Sequence, residues 1–233
     1  MVRSSNKSLV HHGHMIGSMK FASIADVHIR PLTRHDEIRI VFEAFVEGVK
    51  SANVDHVFIG GDVWHTKCTG ISAEYIDLMT WLLKLLGDAA ETHIILGNHD
   101  FNEKNKNRQD AISPIVNAVA HPRVHLYRDS GVYNIAPGYN LCVFSIVDEE
   151  NWGIVEPIEG DVNIACFHGS VNGCKLESGM EMLGGVPLDM FQGYDACFLG
   201  DIHKFQWLDQ REHEIEIDEE DLSLYPDAVV ING

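Results

Sequence analysis

The sequence predicts an α/β fold, and three observations predict it. From Lys20 to about Ala120, short apolar runs alternate with longer stretches whose apolar residues fall on one helical face. That is the pattern of strands and helices around a parallel sheet. After Pro122 the helical spacing stops, and short apolar runs follow one another to Ile231. Five of the runs lead directly into a polar motif of Asp, Asn or His, which is how a site is built at the carboxyl ends of strands.

The elements follow in order. Residues 1–19 are polar, carry His11, His12 and His14, and read as a disordered leader or tag remnant. Residues 20–233 read as the folded domain. Phe21–Ile24 is a strand ending at Asp26. His35 to about Ser51 is a helix with Ile38, Val41, Phe42, Phe45, Val46 and Val49 on one face. His56–Ile59 is a buried strand running into Gly60-Gly61-Asp62. Ile71 to Leu86 is a second helix, which Gly87 is expected to close. Thr92–Leu96 is a strand before Gly97-Asn98-His99-Asp100, and Gln109 to Ala120 a third helix before Pro122. Short strands are expected at 124–127, 132–135, 141–146, 162–167, 196–199, 205–208 and 215–217. The last apolar run, Ala228–Ile231, lies so near the end that the chain reads as truncated.

Composition narrows the class. With 45% hydrophobic and 22% charged residues the chain is an ordinary globular one. It has neither an apolar run of membrane-spanning length nor a signal-peptide core, so no membrane partner is expected. Cys68, Cys142, Cys166, Cys174 and Cys197 are odd in number and lack CxxC spacing. They predict free thiols in a reducing, cytoplasmic compartment. The formal charge of −18 argues against nucleic acid held by the general surface. Much of the excess sits in the stretch Asp209–Asp221, read as a solvated hairpin and loop.

The five strand-to-motif segments are Ile24-Ala-Asp26-Val-His28, Ile59-Gly-Gly-Asp62, Leu96-Gly-Asn98-His99-Asp100, Cys166-Phe-His168-Gly and Leu199-Gly-Asp201-Ile-His203. If all five ends are neighbours, they pool the candidate ligands Asp26, His28, Asp62, Asn98, His168, Asp201 and His203, with His99 left over. Imidazole, carboxylate and amide donors without a thiolate suit Mn²⁺, Fe or Zn²⁺ rather than a structural zinc or a calcium loop. Seven ligands exceed one tetrahedral ion and suit two ions about 3.5–4 Å apart sharing a carboxylate. Such a pair polarises a phosphoryl oxygen and activates a water for in-line attack.

These segments resemble the calcineurin-like metallophosphoesterase superfamily, whose pattern is D-x-H, G-D, G-N-H-D/E, H and G-H-x-H. The resemblance covers about residues 20–232. It implies a four-layer α-β-β-α sandwich, here truncated before a capping domain. It also implies that Asp26, His28, Asp62 and His203 hold one ion and that Asn98, His168 and Asp201 hold the other, with Asp62 bridging. His99 would contact the scissile phosphate and serve the leaving group, oriented by Asp100. Asp26-Val-His28-Ile-Arg30, the pair Arg34-His35 and Gly61-Asp62-Val-Trp-His65 look most like SbcD-type DNA exonuclease subunits, especially phage versions. That likeness makes His65 the phosphate-handling histidine. It implies two divalent ions, Mn²⁺ first with Mg²⁺, Fe or Zn²⁺ as alternatives. It further implies a DNA substrate and an SbcC-type ATPase partner in a repair or recombination complex, with a homodimer left open. One departure is Asp201, where most of the superfamily has histidine; the added negative charge is expected to favour Mn²⁺ or Mg²⁺ over zinc. The resemblance places the ATPase-binding region after the last strand, where the chain reads as truncated. A phosphoesterase acting on a small molecule or a phosphoprotein is the alternative reading. A scaffold without catalysis ranks last, because every ligand position carries a competent residue.

Overall fold

The computed structural model describes residues 19–67, 70–176 and 178–202. It adds the backbone of short strands at Val2–Arg3, Val10–His11, His14–Met15, Trp207–Leu208, Glu214–Ile215 and Ala228–Val230. The rest of the expected leader and of the acidic stretch lies outside the described residues. The chain divides into two compact units, Met19–Arg128 with Asp227–Gly233, and Met1–Ser18 with Asp129–Pro226.

The first unit is helical. Its strands are β1 (Phe21–Ile24), β2 (His56–Ile59), β3 (Glu91–Ile95) and β4 (Val124–Tyr127), parallel and in that spatial order. Ala228–Val230 adds a parallel strand on the free edge of β1. Between them run α1 (His35–Ser51), α2 (Ala73–Ala89) and α3 (Ser113–Val119). Every residue of β2 is buried, as expected of an inner strand of a parallel sheet.

Three helix expectations are corrected. Helix α1 buries Phe42, Phe45, Val46 and Val49, but Val41 is 51% exposed. Val41 lies about a quarter turn from the centre of that stripe, at 3.6 residues per turn. Helix α2 starts after Ser72, whose hydroxyl accepts from the Tyr75 N–H at 3.2 Å, and it does not stop at Gly87. Gly87 is instead the point where the His121 ring crowds the helix, 2.3 Å from where a Cβ would stand. Helix α3 is shorter than expected. The Asp110 carboxylate accepts from the Ile112 and Ser113 N–H groups and so delays helical entry to Ser113.

The second unit is built on β5 (Gly131–Ala136), β6 (Tyr139–Phe144), β7 (Val162–His168) and β8 (Ala196–Gly200). β5 and β6 pair antiparallel; β6, β7 and β8 pair parallel. Val2–Arg3 lies antiparallel to Ala196–Cys197 at the edge of β8. The core gathers Phe144, Phe167, Phe191 and Tyr194 around Cys142, Ala165 and Cys197. The Tyr194 hydroxyl and Trp152 indole donate to the carbonyls of Val155 and Ser145, at 2.6 and 2.7 Å, which satisfies their polar ends. Cys142, Cys166, Cys174 and Cys197 are buried and free. Burial pushes the Cys142 and Cys197 thiols up to about 12, so they pack as small apolar side chains. Two sheets with helices make the mixed α/β fold the sequence predicts. No described helix is long and apolar enough to cross a membrane.

A run of stacked rings crosses β1 to β4: Phe21 on His56, His56 on His93, and His93 on His125 and Tyr127. His56 Nδ1 and His93 Nε2 are 2.8 Å apart, and His93 Nδ1 is 2.8 Å from the Tyr127 hydroxyl. Burial, then the neighbouring His56 and His125, pushes the His93 pKa down to about 3. Burial also lowers His56, although Asp55 and Glu91 oppose it. The unfolded chain therefore takes up these protons first. Stability is complete above about pH 6.5 and is lost as pH falls towards the folded values. Denaturant titrations between about pH 7 and pH 4 should show a loss of about 1 kcal/mol per pH unit. His93→Gln, which keeps a donor and an acceptor, should flatten that slope; an unchanged slope would assign the acid sensitivity elsewhere.

Candidate metal centre

The five strand ends fall into a group of three and a group of two. β1, β2 and β3 are neighbours in the first sheet and deliver Asp26-Val-His28, Gly61-Asp62 and Gly97–Asp100. β7 and β8 are neighbours in the second and deliver His168 and Asp201. Two sheets are what the expected α-β-β-α arrangement requires.

In the helical unit the segments after β1 and β2 are laced by backbone hydrogen bonds. The N–H groups of Asp26, His28 and Ile29 donate to the carbonyls of Gly61, Asp62 and Val63 at 3.1, 2.9 and 2.8 Å. Asp26, His28 and Asp62 adopt left-handed φ values of 57°, 49° and 52°, and Asp201 follows β8 at 71°. Four of the eight described non-glycine residues with positive φ are thus candidate ligands. Each such residue costs on the order of 1 kcal/mol and persists where its surroundings hold it, which is common at functional sites.

Asp62 is 1% exposed. Its Oδ1 accepts from the His99 N–H at 2.7 Å, and its Oδ2 lies 3.7 Å from His28 Nε2. Carboxylate oxygens of Asp26 and Asp62 come within 4.8 Å of each other. Asp100 is fully buried and ties two loops together. Its Oδ1 accepts from the Trp64 N–H at 2.7 Å and its Oδ2 from the Gly97 N–H at 2.9 Å. The group that meets the His99 ring is the His65 carbonyl, 2.6 Å from Nδ1. A carbonyl only accepts, so Nδ1 carries the hydrogen and Nε2 is left for other work.

Nitrogens of His28, His65 and His99 lie within 4.8 Å of one another. The His28 ring stands edge-on to His65 and His99, and the latter two are stacked. Burial, then Arg30 and His99, lowers the His65 pKa against a weaker opposing pull from Asp62, which keeps the ring neutral at pH 7. The side-chain oxygen of Asn98 and Nδ1 of His65 are buried with no hydrogen-bond partner.

In the second unit His168 closes β7 at 1% exposure. One of its nitrogens lies within 4.8 Å of an Asp201 oxygen. The Ser170 hydroxyl donates to Asp201 Oδ2 at 3.2 Å. Sequence reasoning did not single out Ser170; its one signal was its place two residues after His168. His203 lies outside the described residues.

The residues fit divalent cations. The donors are carboxylate, amide and imidazole with no thiolate, as in hydrolytic metal sites rather than structural ones. Asn98 Oδ1 is an acceptor sealed from water, which costs about 1–3 kcal/mol unless something satisfies it. A cation does so.

Comparison with known proteins agrees with this donor set. The profile of the calcineurin-like phosphoesterase family matches residues 19–205. An uncharacterized protein of Acanthamoeba polyphaga mimivirus is 35% identical over 201 residues, which are 80% of this chain. The chain spans 15% of that relative's length. A crystal structure of the nuclease MPE of Pseudomonas putida aligns with a TM-score of 0.37 and 13% identity, over 70% of this chain and 67% of that one. The chain belongs to the calcineurin-like phosphoesterase family, whose members are metal-dependent hydrolases with a dinuclear metal centre.

Asp100→Asn tests the tie between the loops. An amide offers one oxygen, so its NH₂ must face a buried backbone N–H. The expected cost is about 2 kcal/mol in denaturant unfolding, the price of one buried donor left unmet. An unchanged midpoint would mean that the two contacts do not hold the loops.

Proposed function

We propose that this chain is a two-metal phosphodiesterase that cuts nucleic-acid strands, as the DNA nuclease subunit of an SbcC-type ATPase complex. By the family's motif order, Asp26, His28, Asp62 and His203 hold one divalent ion. Asn98, His168 and Asp201 hold the second, and Asp62 is shared. Once bound, the ions supply charge neutralisation at the phosphoryl group and a water of lowered pKa. Mn²⁺ suits the mixed donors, and Asp201 shifts the second position further from zinc.

The observation that carries the phosphodiester reading is the imidazole trio. His28 is taken by metal ligation, which leaves two rings, His65 and His99, for the substrate. His99 is positioned twice, through its N–H on Asp62 and its Nδ1 on the His65 carbonyl. Its Nε2, when protonated, donates to the departing oxygen and neutralises the charge that develops there. His65, held neutral, donates one ring N–H to a non-bridging phosphoryl oxygen. Asp100 keeps the loops that carry both rings in register.

The DNA preference rests on the likeness of Gly61-Asp62-Val-Trp-His65 to SbcD-type nucleases. The charge of −18 favours the second reading, a small-molecule or phosphoprotein substrate. Mn²⁺-supported assays on linear duplex, single strands and a small phosphodiester separate the two. Strand cutting supports the nuclease; hydrolysis of the small ester alone supports the alternative.

His99→Ala should keep its metal content yet lose about 10²–10⁴ in kcat, the usual worth of a general acid. Undiminished turnover would remove His99 from the chemistry. Asp201→His should move the metal-activation profile towards Zn²⁺; identical profiles for the two proteins would sink the charge argument at that position.

A further inference from the structure

The segment after β7 folds back on itself in the second unit. The Val186 N–H donates to the Ser170 carbonyl at 2.9 Å, and the Asn172 N–H donates to the Val186 carbonyl at 2.9 Å. Further out, Met182 N–H donates to the Cys174 carbonyl at 2.7 Å, and Gly173 N–H to the Met182 carbonyl at 3.1 Å. Gly185 makes the fold-back possible. It holds a φ of +93°, and a Cβ there would stand 2.2 Å from the Ser170 carbonyl oxygen. No other residue fits that approach without moving the backbone.

The fold-back and the end of β8 enclose a cleft of about 250 Å³. Leu176, Met182 and Ile202 give it apolar walls. Ser170 and Ser178 bring hydroxyls, and Lys175 is the one cationic lining residue among the described residues. Asp201, assigned above to the second ion, forms part of the same lining. The volume falls below the about 300–1,000 Å³ of pockets that enclose drug-sized ligands, so it suits a single ring system with its sugar.

We infer that this cleft seats the nucleoside that flanks the scissile phosphate, an inference that rests on the phosphodiesterase reading above. Leu176 and the polarisable Met182 offer an apolar face to a flat base, tolerant of which base it is. The serine hydroxyls meet the polar edges of sugar or base. Lys175 meets a phosphate oxygen of the same nucleotide. Local recognition of this kind is what an acidic chain requires, since at −18 its long-range field repels a polyanion. The hydrogen bonds at the base of the fold-back form the cleft before any ligand arrives, which lowers the entropy cost of binding.

Two chromogenic esters test the inference on the full chain with Mn²⁺. Thymidine 5′-(p-nitrophenyl phosphate) carries a nucleoside, and bis(p-nitrophenyl) phosphate does not. The variants are Ser178→Trp, which fills the cleft from an exposed position, and Leu176→Ser, which removes the apolar wall offered to the base. Each should raise KM for the thymidine ester about tenfold with kcat unchanged. Neither should alter the constants for the bis-ester, and unchanged thermal midpoints check the fold. If wild type turns over both esters and the variants shift neither KM, or shift both equally, the cleft assignment fails while the phosphodiesterase reading stands. If metal-loaded wild type turns over neither ester, the phosphodiesterase reading fails and takes the cleft with it.

Discussion

The local structure of the helical unit depends on one buried carboxylate. Asp62 is 1% exposed at the end of an inner parallel strand, and burying a charge there is costly unless partners are fixed around it. Its surroundings follow from that need. The His99 N–H reaches Asp62 Oδ1 only if the loop after β3 turns back over the end of β2. The His28 imidazole approaches Oδ2 only if the chain after β1 adopts left-handed backbone at Asp26 and His28. In the proposed site a cation shared with Asp26 would add further compensation, in keeping with the family's dinuclear centre.

The strain this requires is held by neutral hydrogen bonds. The ladder from Asp26, His28 and Ile29 to Gly61, Asp62 and Val63 continues the pairing of β1 and β2 beyond the regular strands. Asp100 extends the tie from β2 to β3 through the Trp64 and Gly97 amides. Three loops that would otherwise wander become one rigid edge of the sheet. Rigidity at that edge lets imidazoles be aimed, since a ring on a mobile loop holds no fixed hydrogen-bond direction.

Much of this was legible in the sequence, because the motifs are short and local. Each candidate ligand follows an apolar run within a few residues, so the strand dictates where it emerges; Asp26, Asp62 and Asn98 are found at three adjacent strand ends. What the sequence hid is what depends on sheet order. Nothing in Cys166-Phe-His168 says that β7 and β8 pair in a second sheet. The tie made by Asp100 was also hidden, because its partners Trp64 and Gly97 are backbone amides that leave no residue-type signal. Gly87 misled for a related reason: a glycine near a helix end signals a stop, but here it makes room for His121. His203 and Cys68 lie outside the described residues.

In the proposed site Asp62 serves two ions rather than one. Elemental analysis of Mn²⁺-loaded protein after exhaustive dialysis, wild type beside Asp62→Ala, measures this directly. Two ions per chain are expected in the wild type, with loss of both in the variant. A variant that keeps one ion at full occupancy would show that Asp62 is not shared, and the assignment of a common bridging carboxylate would be contradicted.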